Sequence, residues 1–291
     1  MTVDAMLGIS IIEDEVQAVE LSRPLATPTL TAIGQWRQEG NANPEMFREH
    51  LAAFMDANNV HARHAAICID TGHMLVQTVP ALATSSREEL LEHMRWEVTQ
   101  LLPGCSPGDL IIDVHPLPHS NGREWQEVLC VAVRRTEVRA IRESCAELGL
   151  SLSVVDTDHF GAETLLTTGA GDSTNRCIAL LGVKRQRIDV SILDHGRLVS
   201  YRAHPGGSPE ETGRAVAADI SAALPVHEIA VYGPKCTPEL EAAVSRATGV
   251  PVVVLNPFVT IAVAPGLKLA DHFLGKPQRF AAAVGVALRE E

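Results

Sequence analysis

Two stretches of this sequence carry charge where a turn between strands would gather it. LGISIIEDEVQAVELS, Leu7 to Ser22, reads as two strands back to back joined by Ile-Glu-Asp-Glu. A tight hairpin of this kind can cradle a phosphate, yet its turn carries Glu13, Asp14 and Glu15 and no glycine. A glycine lets backbone N–H groups approach a phosphate closely; Ile12 and three carboxylates do the opposite. The second stretch, GVKRQRIDV, carries Lys184, Arg185 and Arg187. Such a basic run reads as a solvated turn, with contact to an acidic partner as the alternative.

Other residue groups have the types but not the context for chemistry. Asp156-x-Asp158-His159 has the composition of a metal cluster or an acid/base pair. At a strand end, however, Asp158 is placed to cap a helix running from His159 to Leu166. His61-x-x-His64 and His115-Pro-Leu-Pro-His119 have ligand-like spacings, but no Cys or acid accompanies them, and both read as solvated loop residues. No G-x-S-x-G elbow is present, so the sequence offers no serine-hydrolase signature. The six cysteines are scattered without a CxxC pair and read as small reduced core residues.

Composition narrows the class further. With 291 residues, the chain holds one large domain or two ordinary ones, and 46% hydrophobic content suffices for a sizeable core. A net charge of −12 and only 4% aromatic residues disfavour nucleic-acid binding, which needs clustered cations and stacking surfaces. The first residues lack a basic n-region, and the most apolar run, Gly249 to Leu267, is broken by Pro251, Asn256, Pro257 and Pro265. Neither a secretory signal nor a membrane span is therefore expected.

The elements that would position these groups follow from periodicity. After the first hairpin come a third strand TLTAIG, a helix with Phe47, Leu51, Phe54 and Met55 on one face, and the strands HAAICID and HMLVQTVP. Ser86 and Glu89 form a capping-box pair before a helix with Leu91, Met94, Val98 and Leu101 in a stripe. Two strands and a helix with Val138, Ile141, Cys145 and Leu148 follow, ended by Gly149. Met74 to Gly149 thus reads as a small α+β module inserted in a larger α/β domain. The Gly- and Ser-rich stretch Thr167 to Asn175 marks a boundary between halves. Beyond it the chain again opens on three strands, with Asp194-His195-Gly196 as a turn, and continues into helices begun by Ser208-Pro209 and Thr237-Pro238. Two halves with one element order suggest an internal duplication of fold.

Several segments, in order along nearly the whole chain, resemble the type IV pilus assembly protein PilM family, relatives of actin and of the division protein FtsA. LGISIIEDEVQAVELS resembles that family's opening LGIDIGSSSIKAVELS. RWEVTQLLPGCSPGDLIIDVHPL and EVLCVAVRRTEVRAIRESCAELGLSLSVVDTDHFGAE resemble its middle segments. VPVVVLNPF, with Leu255-Asn256-Pro257-Phe258 as the most specific match, and AAAVGVALRE resemble its C-terminal signature.

The resemblance implies an α/β protein of two actin-like (ribonuclease-H-like) halves, 1–170 and 171–291, with a subdomain inserted at about 74–149. The upper lobe of the second half is expected to be reduced to one helix or missing. The family's nucleotide lies between two phosphate hairpins and an adenosine loop. Here Ser10 stands for the metal-associated Asp, Ile12 for a Gly, and Glu13 to Glu15 for small hydroxyl residues. Gly182 and Lys184 stand for the Asp and Gly of the second hairpin, and of the adenosine-loop glycines only Gly233 is kept. The resemblance therefore implies a pseudo-ATPase with no catalytic residue, no metal, and neither ATP nor Mg²⁺. It further implies a groove between the first half and the inserted module, bounded by Val76, Val79, Pro80, Val154 and Asp156. That groove would take the N-terminal tail of a PilN-like inner-membrane protein. The implied role is a cytoplasmic scaffold of a pilus assembly platform, reaching the membrane only through partners and self-associating into a ring. An active actin-like ATPase and a component of a type II secretion system stay open as alternatives.

Overall fold

The computed structural model describes residues 5–22, 27–38, 43–82, 85–102, 104–118, 124–168, 176–221 and 225–289. Most of the expected boundary stretch, 169–175, and His119 lie outside them. The first half opens with β1 (Ala5–Ile12), β2 (Glu15–Ser22), β3 (Thr29–Arg37), α1 (Pro44–Asn58) and β4 (His64–Ile69). An excursion follows: β5 (Leu75–Leu82), α2 (Arg87–Leu101), β6 (Leu110–Pro116), β7 (Trp125–Arg134) and α3 (Arg135–Glu147). The chain then returns through β8 (Ser151–Thr157) and α4 (Asp158–Thr168). The second half holds β9 (Cys177–Val183), β10 (Arg187–Asp194), β11 (Arg197–Pro205), α5 (Pro209–Ser221), β12 (Glu228–Tyr232), α6 (Pro238–Thr248) and β13 (Val252–Val254). β14 (Ala262–Val263), α7 (Asp271–Leu274) and α8 (Ala281–Leu288) complete it.

Local signals set these elements. The Asn43 side chain accepts from the Glu45 N–H to cap α1, Pro44 fills its first turn, and Asn59 ends it in the left-handed conformation. Ser86 and Glu89 form the capping box of α2, and Ser208 with Glu211 does the same for α5. The buried stripe of α2 is Leu90, Met94 and Val98. It is turned by one position from the expected Leu91-Met94-Val98-Leu101 row, because the helix lays its Leu90 side on the sheet beneath and leaves Leu101 46% exposed.

The two halves share one topology. The first sheet runs β14-β3-β2-β1-β4-β8 and the second β11-β10-β9-β12-β13. In each, an antiparallel three-strand meander is extended from its first strand by two parallel strands. The stretch between β11 and β12 carries a single helix, α5, among the described residues. The excursion forms a separate sheet, β5-β7-β6, covered by α2. α3 lies between that sheet and the first half: its Ile141 and Cys145 share a core with Phe47, Leu51 and Leu150 and with Val76, Leu129 and Val133 of the excursion sheet.

α8 ties the halves together. Its Ala281 to Ala287 stretch is fully buried and joins a core drawn from both sheets, with Met6, Val19, Leu180 and Tyr232. The approach is close: a Cβ on Gly8 would lie 2.2 Å from the Ala283 carbonyl oxygen, and one on Gly285 would lie 1.9 Å from that of Gly161. Small residues here allow helix, helix and strand to touch through backbone.

Candidate functional site

The β1–β2 and β9–β10 turns face each other across the junction of the halves, where the sequence places its opposed charges. Glu13 adopts a left-handed φ of 55°, which allows a two-residue turn between Ile12 and Glu15. Its N–H donates to Asp70 Oδ2 at 3.0 Å, and its carboxylate accepts from the Arg185 N–H. The Arg185 guanidinium lies 3.8 Å from both Glu13 and Asp14. Glu15, buried, pairs with Arg279 at 3.1 Å. The acidic turn is thus matched by cations of the same chain.

Behind these turns lies a buried ionic cluster. Lys184 is 4% exposed, which overturns its reading as part of a solvated turn. Its Nζ lies 2.8 Å from Asp189, 2.9 Å from Asp158 and 3.2 Å from Asp70, and it donates to the Thr71 hydroxyl. Asp70 and Thr71 follow β4, Asp158 opens α4, and Asp189 lies on β10, so both halves contribute. All six carboxylate oxygens are satisfied. Gly72 N–H and Glu13 N–H donate to Asp70, and Thr71 N–H and the Tyr232 hydroxyl to Asp158. Asp189 Oδ1 accepts from Arg187 and from Tyr201 at 2.6 Å, while Oδ2 takes Thr71 at 2.7 Å. Asp158 therefore does not cap α4; Thr157 does, accepting from the Phe160 N–H.

Burial of charge is costly unless pairing and hydrogen bonds offset it; at Asp70 and Asp189 they do, whereas at Asp158 burial, with the charges of Asp70 and Asp189 adding, outweighs Lys184 and raises the carboxyl pKa. Burial disfavours the ammonium, but Asp158, Asp189 and Asp70 outweigh it and raise the Lys184 pKa above the ordinary lysine value. Burial works against the Asp189 carboxylate as well, yet Lys184 and Arg187 hold its pKa well below the usual range. His159, buried between Tyr201, Tyr232 and Phe160, has its pKa pushed down to about 3 by desolvation, with Lys184 and Arg187 adding to the shift. It stays neutral.

The other positions expected at a nucleotide site are closed by packing. Ser10 is fully buried and donates to Gln17 Oε1 at 2.9 Å; Ile12 belongs to the shared core. A Cβ on Gly182 would lie 2.6 Å from the Tyr232 hydroxyl, so the Tyr232 ring holds the space beside it. Gly233, at φ 112°, lets the loop after β12 run against Val183. The residues at this junction do not fit a phosphate: the buried ammonium that could attract one is saturated by three carboxylates, and the turn in front of it carries Glu13 and Asp14. Nor do they fit a divalent ion: the oxygens stand at ammonium distance, and among the described residues no group of His, Cys, Asp and Glu is arranged to hold a metal.

A second region is open. A groove of about 560 Å³ lies between the excursion sheet, the edge of the first sheet and the β10–β11 turn. β6 and β8, each at the edge of its sheet, border it. Ile111, Val131, Val155 and Phe160 give it apolar walls, with Asp156, Glu163, Arg197 and Arg289 among its charges. Of the five expected groove residues only Asp156 lines it, paired with Arg289 at 2.8 Å. Val76 and Val79 are buried, and Val154 packs toward the shared core on the other face of β8. Pro80 is exposed on β5, outside the groove lining. The reason is the strand order: β7 lies in the middle, so β6 faces the groove while β5 turns to β11, where Arg202 reaches Thr78 and Glu127.

Comparison with known proteins follows the same outline. The family model described as type IV pilus assembly protein PilM matches residues 8–217. A search of curated proteins returns no significant match. Among solved structures, one of a PilM-PilN type IV pilus biogenesis complex matches over 98% of each chain, with TM-score 0.79 and 18% identity. The cytoplasmic domain of EpsL, an inner membrane component of the type II secretion system of Vibrio cholerae, matches 99% of this chain and 96% of that one at TM-score 0.53 and 12% identity. A Bacteroides thetaiotaomicron protein with an actin-like ATPase fold matches 86% and 90% at TM-score 0.53 and 10% identity. At these identities the structural likenesses describe the fold, which is actin-like.

Proposed function

The chain belongs to the type IV pilus assembly protein PilM family, and from that premise we propose that it is a cytoplasmic, non-hydrolysing scaffold whose groove takes the N-terminal tail of a PilN-like membrane protein. The observation that carries the reading is the contrast between an apolar groove bordered by the edge strands β6 and β8 and a junction whose Lys184 is saturated from within the chain. An extended tail can lie along the groove with its apolar side chains against Ile111, Val131, Val155 and Phe160. Each apolar side chain fully removed from water contributes ~1.5–3 kcal/mol, and ordering the tail offsets part of that. A micromolar complex is the expected outcome. Among the described residues no helix is long and apolar enough to cross a membrane, and a partner's tail is a route to one.

The test is calorimetry of the purified protein with a synthetic N-terminal tail peptide of the PilN-like protein from the same genome, and separately with Mg-ATP. Micromolar peptide binding with no ATP heat up to millimolar concentration supports the scaffold. Micromolar ATP binding would revive the enzyme, and peptide silence would sink the assignment of the groove.

A further inference from the structure

The ionic cluster at the junction has the layout of a cation site whose cation is part of the chain. We infer that the Lys184 ammonium is a tethered substitute for the divalent cation of an actin-like site, and that it clasps the two halves in one arrangement without nucleotide. This rests on reading the junction as non-hydrolysing.

Four features carry it. The partners of Nζ are hard oxygens only: Asp70, Asp158, Asp189 and the Thr71 hydroxyl. That is the donor set magnesium and calcium take, held here at 2.8–3.2 Å, an ammonium distance, where those ions require about 2.0–2.6 Å. The ligands come from both halves, Asp70 and Asp158 from the first and Asp189, like Lys184 itself, from the second. Charge requires a cation at this point, because of the three carboxylates Arg187 reaches only Asp189, and hydrogen bonds from N–H and O–H groups do not neutralise the other two. Finally the ammonium is anchored: the Lys184 N–H donates to the Arg187 carbonyl at 3.0 Å, closing the turn that carries it.

The clasp has a consequence for the groove. Arg197 and Leu198 of the second half line it together with Val155 and Phe160 of the first. With the cation built in, the groove keeps one shape, and tail binding does not respond to Mg-ATP.

The experiment removes the tethered cation and offers a free one. Wild type, Lys184→Ala, Lys184→Met and Lys184→Ala/Asp189→Asn are unfolded thermally in EDTA and in MnCl₂ at matched ionic strength, and Mn²⁺ binding is titrated directly. Lys184→Ala should be destabilised in EDTA and regain most of its loss in Mn²⁺, with a dissociation constant on the order of 10⁻⁵ M. Its affinity for Mn²⁺ should exceed that of wild type at least about a hundredfold, against a few kelvin or less of Mn²⁺ effect on wild type. Lys184→Met, whose side chain still fills the position, and the double variant should show no rescue. If Lys184→Ala does not fold in EDTA, its refolding yield with and without Mn²⁺ decides the same question. Lys184→Ala as stable as wild type in EDTA, or unstable with no Mn²⁺-specific recovery, overturns the inference. Tail-peptide affinity of the wild type, measured alongside, reports on the groove separately: its loss would undo the scaffold reading and leave the clasp standing.

Discussion

The junction between the hairpins and the groove beside the excursion sheet contain similar residues put to opposite use. Both combine aspartates, an arginine and an aromatic ring on elements from the two halves. At the junction every carboxylate oxygen meets a donor and Lys184 is 4% exposed. At the groove, 560 Å³ beside the edge strands β6 and β8 is open to a ligand. The difference lies in what is satisfied from within: a site complete in its own hydrogen bonds has nothing left to offer a ligand.

The largest effect should come from breaking the complete site. Asp189→Asn leaves Lys184 and Arg187 each short of a charge partner in a buried setting. Removing one member of a buried pair costs about 3–5 kcal/mol, so urea unfolding should shift by that amount at unchanged m-value. A loss below about 1 kcal/mol would mean the cluster is relaxed by water and is not a clasp.

How much of this could be read in advance differs between the two regions. The strand meanders, capping boxes and inserted module follow from local patterns, and the opposed charges of Glu13-Asp14-Glu15 and Lys184-Arg185-Arg187 stand out in the sequence. Their pairing was not legible, because Asp70, Asp158 and Asp189 sit on three separate elements and meet Lys184 only when the halves pack. One signal was available: Asp189 interrupts the apolar run IDVSIL at a position buried on both sides, and a lone buried acid needs a cation. The groove differs for another reason. The resemblance set a groove beside Val76 to Pro80 on β5, whereas the hydrogen-bonded order puts β6 beside the open groove of this structure. A Val154→Asp substitution would accordingly probe the shared core and not the groove.

The next effect tests the open site. Ile111 lies on edge strand β6, lines the groove and is 38% exposed. Ile111→Asp should weaken the tail peptide at least tenfold, about 1.4 kcal/mol, while shifting unfolding by no more than about 0.5 kcal/mol. Equal peptide affinity in the variant would remove β6 from the interface.

A smaller effect distinguishes the two regions by pH. Glu163 faces the groove and accepts from Ser191 at 3.0 Å; burial, with Asp156 adding, pushes its pKa up to about 7. From about pH 5 to 7 the native carboxyl keeps a proton that the unfolded chain, with a pKa of about 4.3, has released. This group therefore lowers stability as pH rises through that window. His159 acts oppositely: with its pKa depressed to about 3, the native ring stays unprotonated while the unfolded chain takes up a proton below about 6.5, so its contribution is lost as pH falls. The difference in stability between Glu163→Gln and wild type cancels the histidine. It should grow in favour of the variant from pH 5 to 8; a flat difference would show that Glu163 is solvated.

The smallest effect comes from a charge contact that joins the excursion sheet to the second half at the surface. Arg202 lies 3.2 Å from Glu127, close in geometry to the pairs around Lys184, but its side chain is 41% exposed and that of Glu127 51%. Water screens such a pair, and holding two long side chains in register costs entropy, so exposed pairs contribute about 0.2–1 kcal/mol. Arg202 also donates to Thr78 and to the Tyr201 carbonyl, so the single Arg202→Ala variant loses more than the ion pair. A double-mutant cycle with Glu127→Gln isolates the pair and should return a coupling under about 1 kcal/mol that fades in 1 M salt. The same cycle across Lys184 and Asp189 should return a coupling several times larger and nearly independent of salt, since neither group is reached by counterions. Equal couplings in the two cycles would mean that burial at the junction does not strengthen its charges, and the contrast between the closed and the open region would then rest on shape alone.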